Sequence, residues 1–320
     1  MSAPLFEIAI LARATWNLHS LNNEGTVGNV SEPRTVVLAD GRKSDAVSGE
    51  MLKHIHAQNL WLTALDKSIF CESCRVLQPQ RADKSADLDD IAKKTKGDAA
   101  RILDAALEGC AMCDLHGFLR TKPSIPRSST IEFGWAVALP EHFHRDHHIH
   151  ARHVVEGRGV ERNSVSEDGE EAGGAAAQMV YHRPTRSGQY ALVSVFQPWR
   201  IGLNEVVYRY AEVDRLVRFR IGIEAYKALF TRTDGAMTST HLPHTEGIEG
   251  IVVISNSNFP APAPSPLSES YREDVVAAQR VLTGIESVSF DSLPQLLGVL
   301  DEMAKREPFT LELPKEGRRK

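Results

Sequence analysis

The sequence predicts an α+β fold, a sheet with helices packed on one of its faces. Three observations predict it. Residues 6–15, FEIAILARAT, and 129–139, STIEFGWAVAL, carry strand-like alternation. An amphipathic helix falls between the early strands, and further strands arrive only in the later part of the chain. With 320 residues and 42% hydrophobic content there is enough apolar material for a substantial core. No apolar run approaches the ~18 residues that span a bilayer, and residues 1–6 lack the basic start and apolar stretch of a signal peptide. A cytoplasmic protein without a membrane partner is expected. A net charge of −5 argues against non-specific coating of DNA but allows a local basic groove.

In the first strand Phe6, Ile8, Ile10 and Ala12 share one face and Glu7, Leu11 and Arg13 the other, the pattern of a central strand. Residues 16–34 are rich in Asn, Gly, Ser and Pro and read as a long polar loop, with Asn22, Asn23, His19 and Arg34 available for contacts. Residues 35–38 form a short β-branched strand. Asp40-Gly41 then signals a turn, followed at once by Arg42 and Lys43.

A helix is expected from an N-cap at Ser44, with Asp45 in its first turn, to about Leu65. Its apolar stripe holds Val47, Met51, Ile55 and Leu62, edged by Leu52 and Leu65. Gly49, Lys53 and His56 gather on the opposite side. One face would pack while the other meets a polyanion, Gly49 allowing close backbone approach. The alternative is an ordinary solvated surface.

Every cysteine of the chain lies in two CxxC pairs, Cys71 with Cys74 and Cys110 with Cys113. Two thiolates per knuckle and four in all match the tetrahedral shell of a structural zinc ion, closed to substrate. The alternatives are a thiol pair or idle cysteines. Residues 67–127 therefore read as an inserted lobe pinned by zinc, with a charged helix across residues 93–108.

Six of the 13 histidines fall between His142 and His153. Their spacing is irregular, so a flexible basic hairpin or loop is favoured over a second metal site. Residues 178–197 read as two strands around a Pro-Thr-Arg-Ser-Gly bend, with Arg183 and Arg186 near the turn. Residues 205–232 read as mostly helical, 251–254 as a strand, and 258–268, rich in Pro and Ser, as irregular. Helices at 271–282 and 293–306 and a polar tail ending in Arg318, Arg319 and Lys320 complete the chain.

Phosphate-loop, dinucleotide, zinc-protease and hydrolase-elbow motifs are absent, and no catalytic constellation stands out. A sheet with one open face or edge can carry RNA.

The block from Ile10 to His56, together with PTRSGQYAL from Pro184 and LPHTEGIEGIVVIS from Leu242, resembles the DevR-type CRISPR-associated autoregulators, backbone subunits of type I Cascade in the Cas-seven superfamily. The resemblance implies an RNA-recognition-motif-like (ferredoxin-like) palm with inserted finger and thumb elements. Residues 1–66, 128–141 and 179–320 would form the palm and C-terminal helices, residues 67–127 the finger lobe, and residues 142–178 a flexible thumb-like hairpin. It implies contact with a CRISPR guide RNA through Ser48 and Lys53, where the family has a Ser-Ser-Gln-Ser-x-Lys-like helix start and this chain has Glu50 in place of the Gln. The basic pair Arg42 and Lys43 and the loop residues Asn22, Asn23 and Arg34 match positions that border the guide. Gly49, His56, Arg183 and Arg186 complete the expected surface, drawn from the residues themselves. Further implied partners are target DNA through the guide, other copies of the chain and other Cascade subunits. The zinc knuckles are not a general family feature. A non-catalytic scaffold is the first expectation. A metal-dependent ribonuclease using Asp40 or Asp45, or a DNA-binding autoregulator, is the alternative.

Overall fold

A computed structural model of the chain describes residues 3–27, 30–152 and 179–313. The run of residues 153–178, which holds His153 and most of the expected thumb, and the basic tail from residue 314 lie outside them.

The first strand, β1 (Glu7–His19), runs four residues beyond its sequence signature. The expected polar loop is largely ordered backbone, since β2 (Asn23–Val27) and β3 (Val30–Pro33) pair as an antiparallel hairpin. Then come β4 (Thr35–Val37), β5 (Lys43–Val47) and helix α1 (Gly49–Thr63). The lobe contains α2 (Glu72–Arg75), α3 (Ala86–Lys94), α4 (Ala99–Gly109), α5 (Ala111–His116) and the hairpin of β6 (Phe118–Thr121) and β7 (Ser124–Arg127). The one charged helix expected there is two, separated by a turn at Thr95–Asp98 with Lys96 and Gly97 at positive φ.

Residues 129–139 are also interrupted. Strand β8 (Ile131–Phe133) ends at Gly134, and β9 (Ala136–Arg152) carries the histidine run as one arm of a long hairpin. The other arm is β10 (Met179–Phe196), a single strand of 18 residues instead of two strands about a bend. Pro184 sits within it paired to His147, and Gly188 sits where a Cβ would strike His142 and Phe143. Residues 203–214 form turns and the short pair β11 (Leu203–Asn204) and β12 (Arg209–Tyr210), so the helix expected from residue 205 begins only at α6 (Arg215–Thr231), capped by Asp214. After β13 (His244–Ser255) and α7 (Tyr271–Val281) comes β14 (Ile285–Phe290), which the sequence reading left out, and then α8 (Leu293–Ala304).

Seven strands lie along one path in the order β14-β13-β1-β10-β9-β5-β4, each pair antiparallel. Within it, β1, α1, β9, β10, α6 and β13 follow a β–α–β–β–α–β sequence with spatial strand order β13-β1-β10-β9. Both faces of β1 are buried, as a central strand requires. Ile8, Ile10, Ala12, Ala14 and Trp16 enter the main core with residues of α1, α6 and α8, whereas Ala9 and Leu11 enter a second core with Tyr271 and Val275 of α7. The Pro-rich segment drapes over that second face, buries Ala261 and accepts from Arg13 Nε at the Pro266 carbonyl, 2.8 Å away.

One buried carboxylate is a hub between the lobe and the rest. Asp114 is fully buried and accepts from Arg127 Nη2 (2.8 Å), from Arg218 Nη1 of α6 (2.8 Å) and from the Gly202 amide (2.9 Å).

Candidate functional site

The helix start is displaced from its sequence signature. Ser44 lies in β5, where pairing of β5 with β9 turns its hydroxyl onto the Ala138 carbonyl at 2.5 Å, and Asp45 is buried and paired with Arg145 of β9. Ser48 is the N-cap, its Oγ accepting the Met51 amide at 3.2 Å. Arg42 and Lys43 are thus a strand length away from the helix start, about 17 Å for five extended residues. Both are exposed at the β4–β5 turn, and Arg42 pairs with Asp40 and with Glu141 of β9. Hydrogen bonds from Arg42 hold the Asp40 carboxyl below its usual range. Buried Asp45 and arginine-bound Asp40 are poorly placed to hold a hydrated divalent ion.

Around the helix start the fold gathers residues from three segments. Asn22 Oδ1 accepts the Ser48 amide at 2.9 Å, and the Asn22 carbonyl accepts from Arg186 Nη2 at 2.7 Å. Arg186 is 1% exposed, and burial pulls its guanidinium below the usual range; it braces the Asn22 turn from beneath instead of facing solvent. Arg183, three residues away on the same strand, points to the opposite sheet face and is half-buried. Asn23 is half-buried beside the turn, its Oδ1 accepting from Ser20. Arg34 is half-buried, donates its amide to the Asn22 carbonyl at 3.4 Å and stacks over Trp135, which stands 45% exposed.

Two expected surface residues are interior. Gly49 does let another backbone approach, but the partner is its own protein: an added Cβ would lie 2.3 Å from the Phe133 carbonyl oxygen. His56 is fully buried, while Leu62 and Leu65 of the expected packing stripe are exposed. The packed face of α1 is rotated towards Leu52, Ile55, His56 and Leu60 because α6 and α5 cover that side. Lys53 is half-buried, and desolvation draws its ammonium below the usual range, helped by nearby Arg81.

His56 Nε2 lies 3.2 Å from the Gly222 carbonyl and must carry the proton there, so its Nδ1 accepts from His116 Nε2 at 3.0 Å. His116 Nδ1 is then a bare acceptor, in keeping with its lack of a partner. Burial lowers the His56 pKa to about 3 and takes His116 well below its ordinary value, with Arg81, Lys53 and His54 adding repulsion. The unfolded chain takes up these protons near pH 6.5 and the folded chain does not. The stabilisation by a neutral pair is therefore complete above that pH and lost as pH falls, at up to ~1.4 kcal/mol per unit for each histidine. Urea-unfolding free energies at pH 7.5, 6.5 and 5.5 should fall in that order; a flat profile would contradict the neutral pair.

The four cysteines converge. Their sulfurs all lie within 4.8 Å of one another, Cys74 to Cys113 at 3.8 Å and Cys71 to Cys113 at 4.0 Å, as free thiols. Tetrahedral zinc with ~2.3 Å bonds places its sulfurs about 3.8 Å apart, so this donor set could hold a metal ion. Cys110 Sγ also accepts the Cys113 amide at 3.3 Å, steadying the second knuckle. Thiols this close cannot all ionise without a cation. Hydrogen bonds from Cys110, Cys113 and Cys74 pull Cys71 far down, while contacts with Cys110 and then Cys71 push Cys74 and Cys113 up. Among the described residues this is the group of metal-capable side chains, and the described histidines of β9 form no second one.

The family model for CRISPR-associated negative auto-regulator DevR/Csa2 matches residues 10–276, from β1 through the middle of α7. The chain belongs to the DevR/Csa2 family. In this member of the family the match embraces both the helix start and the cysteine lobe. No curated protein matches the chain. Two solved chains show an overall likeness. One, from a CRISPR RNA-guided surveillance complex in a pre-nicking state, is 13% identical with a TM-score of 0.45, covering 79% of this chain and 77% of that one. Another, from a CRISPR RNA-guided surveillance complex, is 11% identical with a TM-score of 0.49, covering 93% and 98%. No helix among the described residues is long and apolar enough to cross a membrane.

Proposed function

We propose that this DevR/Csa2-family chain is a CRISPR RNA-binding backbone subunit of a type I Cascade-like complex, which multimerises along the guide RNA and presents it for pairing with target DNA. It acts as a scaffold without catalysis. The observation that carries the reading is the linked frame of Asn22, Arg34 and Ser48 at one helix start, with Asn23 beside it and Lys53 further along α1, where the helix dipole favours a phosphate. Arg42 and Lys43, at the far end of β5, extend the cationic track. The β–α–β–β–α–β order supports reading the sheet as an RNA-recognition-motif-like palm. In this reading residues 67–127 are the finger and the β9–β10 hairpin is the base of the thumb. Cys71, Cys74, Cys110 and Cys113 hold a structural zinc that ties the two knuckles together.

Purified chain should carry short RNA of repeat–spacer length. The double variant Arg42→Ala with Lys53→Ala should weaken guide RNA binding and lower the slope of log affinity against log salt by up to about two, one for each cation. Unchanged affinity and slope would overturn the assignment of this surface, and tighter binding to promoter DNA than to RNA would favour the autoregulator instead.

A further inference from the structure

One exposed aromatic stands beside the polar patch and belongs to neither hydrophobic core. Trp135 occupies the break between β8 and β9 and remains 45% exposed with Arg34 in place, the guanidinium carbon 5.7 Å from its ring centroid. The carbonyls just before it, of Phe133 and Gly134, are those on which Gly49 packs, so the indole is carried at the first turn of α1. Arg34 is held to the Asn22 carbonyl by its amide, and Asn22 to the Ser48 amide by its side chain. Tryptophan, arginine, two asparagines and the helix start therefore share one rigid frame. The side chains joined there besides the indole are mostly polar: Asn22, Ser48, Arg34 with its ion-pair partner Glu24 at 3.7 Å, and Asn23, whose amide meets the Met237 sulfur. A polynucleotide meets polar side chains with its phosphates and sugars while its bases need a flat surface such as the indole.

We propose that Trp135 is a stacking platform for one unpaired nucleobase of the bound strand, with Arg34 alongside. The assignment rests on the RNA-binding reading above. It makes Trp135 a contact residue for the base and leaves sequence preference weak, because every base offers a π-face.

The test is binding of a mixed-sequence single-stranded RNA to full-length wild-type, Trp135→Ala and Trp135→Phe chains over a series of salt concentrations. Trp135→Ala should weaken binding about tenfold with the salt slope unchanged, since the indole carries no charge. Trp135→Phe should recover most of the loss. The wild type should lose tryptophan emission on binding, and the Phe variant should lose much less. All three chains should melt within a few degrees of one another. If Trp135→Ala binds as tightly as wild type while Arg42→Ala with Lys53→Ala is weakened, the platform is overturned and the RNA reading stands. A loss that Phe does not recover, or that comes with a lower melting temperature, assigns Trp135 a structural role and also overturns the platform. Failure of the wild type to bind RNA overturns both.

Discussion

Asp114→Asn should destabilise the folded chain by about 3–5 kcal/mol, the usual cost of removing one member of a buried ion pair. The carboxylate is inaccessible to water and answers two guanidiniums, Arg127 and Arg218, as well as the Gly202 amide. Asparagine keeps an acceptor but not the charge, so two cations face an interior that can no longer neutralise them. Arg127 retains Glu205 at 3.3 Å, while Arg218 is left with the Glu108 carbonyl at 3.2 Å. The fall in melting temperature should be of order 10 °C. By contrast Glu302→Gln, at an exposed pair with Lys305, should change stability by well under 1 kcal/mol. Urea titration of both variants checks the contrast, and a loss below 1 kcal/mol for Asp114→Asn would show that the hub is not held by charge.

A second large effect is expected at the cysteines. Wild-type chain should contain one zinc per polypeptide, and Cys113→Ser should lose it, because Cys113 sits within 4.0 Å of both Cys71 and Cys74 and serine offers no thiolate. Structural zinc contributes on the order of 10 kcal/mol to small domains at neutral pH, so even a fraction of that in a lobe braced by Asp114 should lower the melting temperature by ~10 °C or more. A strong chelator should reproduce the shift in wild type and leave Cys113→Ser unmoved. Elemental analysis and thermal melts in parallel decide it. Sub-stoichiometric metal with unchanged melting would return the cysteines to idle thiols.

What the sequence made legible was local. The strand at Phe6 to Thr15, the helices at Tyr271 and Leu293 and the cysteine quartet are written in periodicities and spacings that need no partner. The helix start at Ser48 was misplaced by four residues because Ser44-Asp45 is an equally good cap; pairing with β9 draws Ser44 into the sheet instead. Pro184 and Gly188 read as a bend because their conformational preferences say turn, yet Gly188 is needed where β10 crosses Phe143, a contact between distant segments. His56 looked like a surface cation because its burial depends on α6 and on His116, 60 residues away. Arg186 looked like a ligand contact for the same reason. Trp135 continues the alternation of residues 129–139 in the sequence, yet it stands at the break after Gly134, where β8 has ended and β9 has not begun.

The unbroken course of β10 has a mechanical corollary. Along its 18 residues it pairs with β1 at one end and with the outward arm of β9 at the other, and in both ladders the surplus residues at the register slip lie on the partner strand. Between the pairs Gly188–Phe143 and Tyr190–Ala138, β9 carries surplus residues from Leu139 to His142 that fall out of register. The surplus places Glu141, the partner of Arg42, where the arm leaves the sheet, so the ion pair ties the β4–β5 turn to the root of the arm.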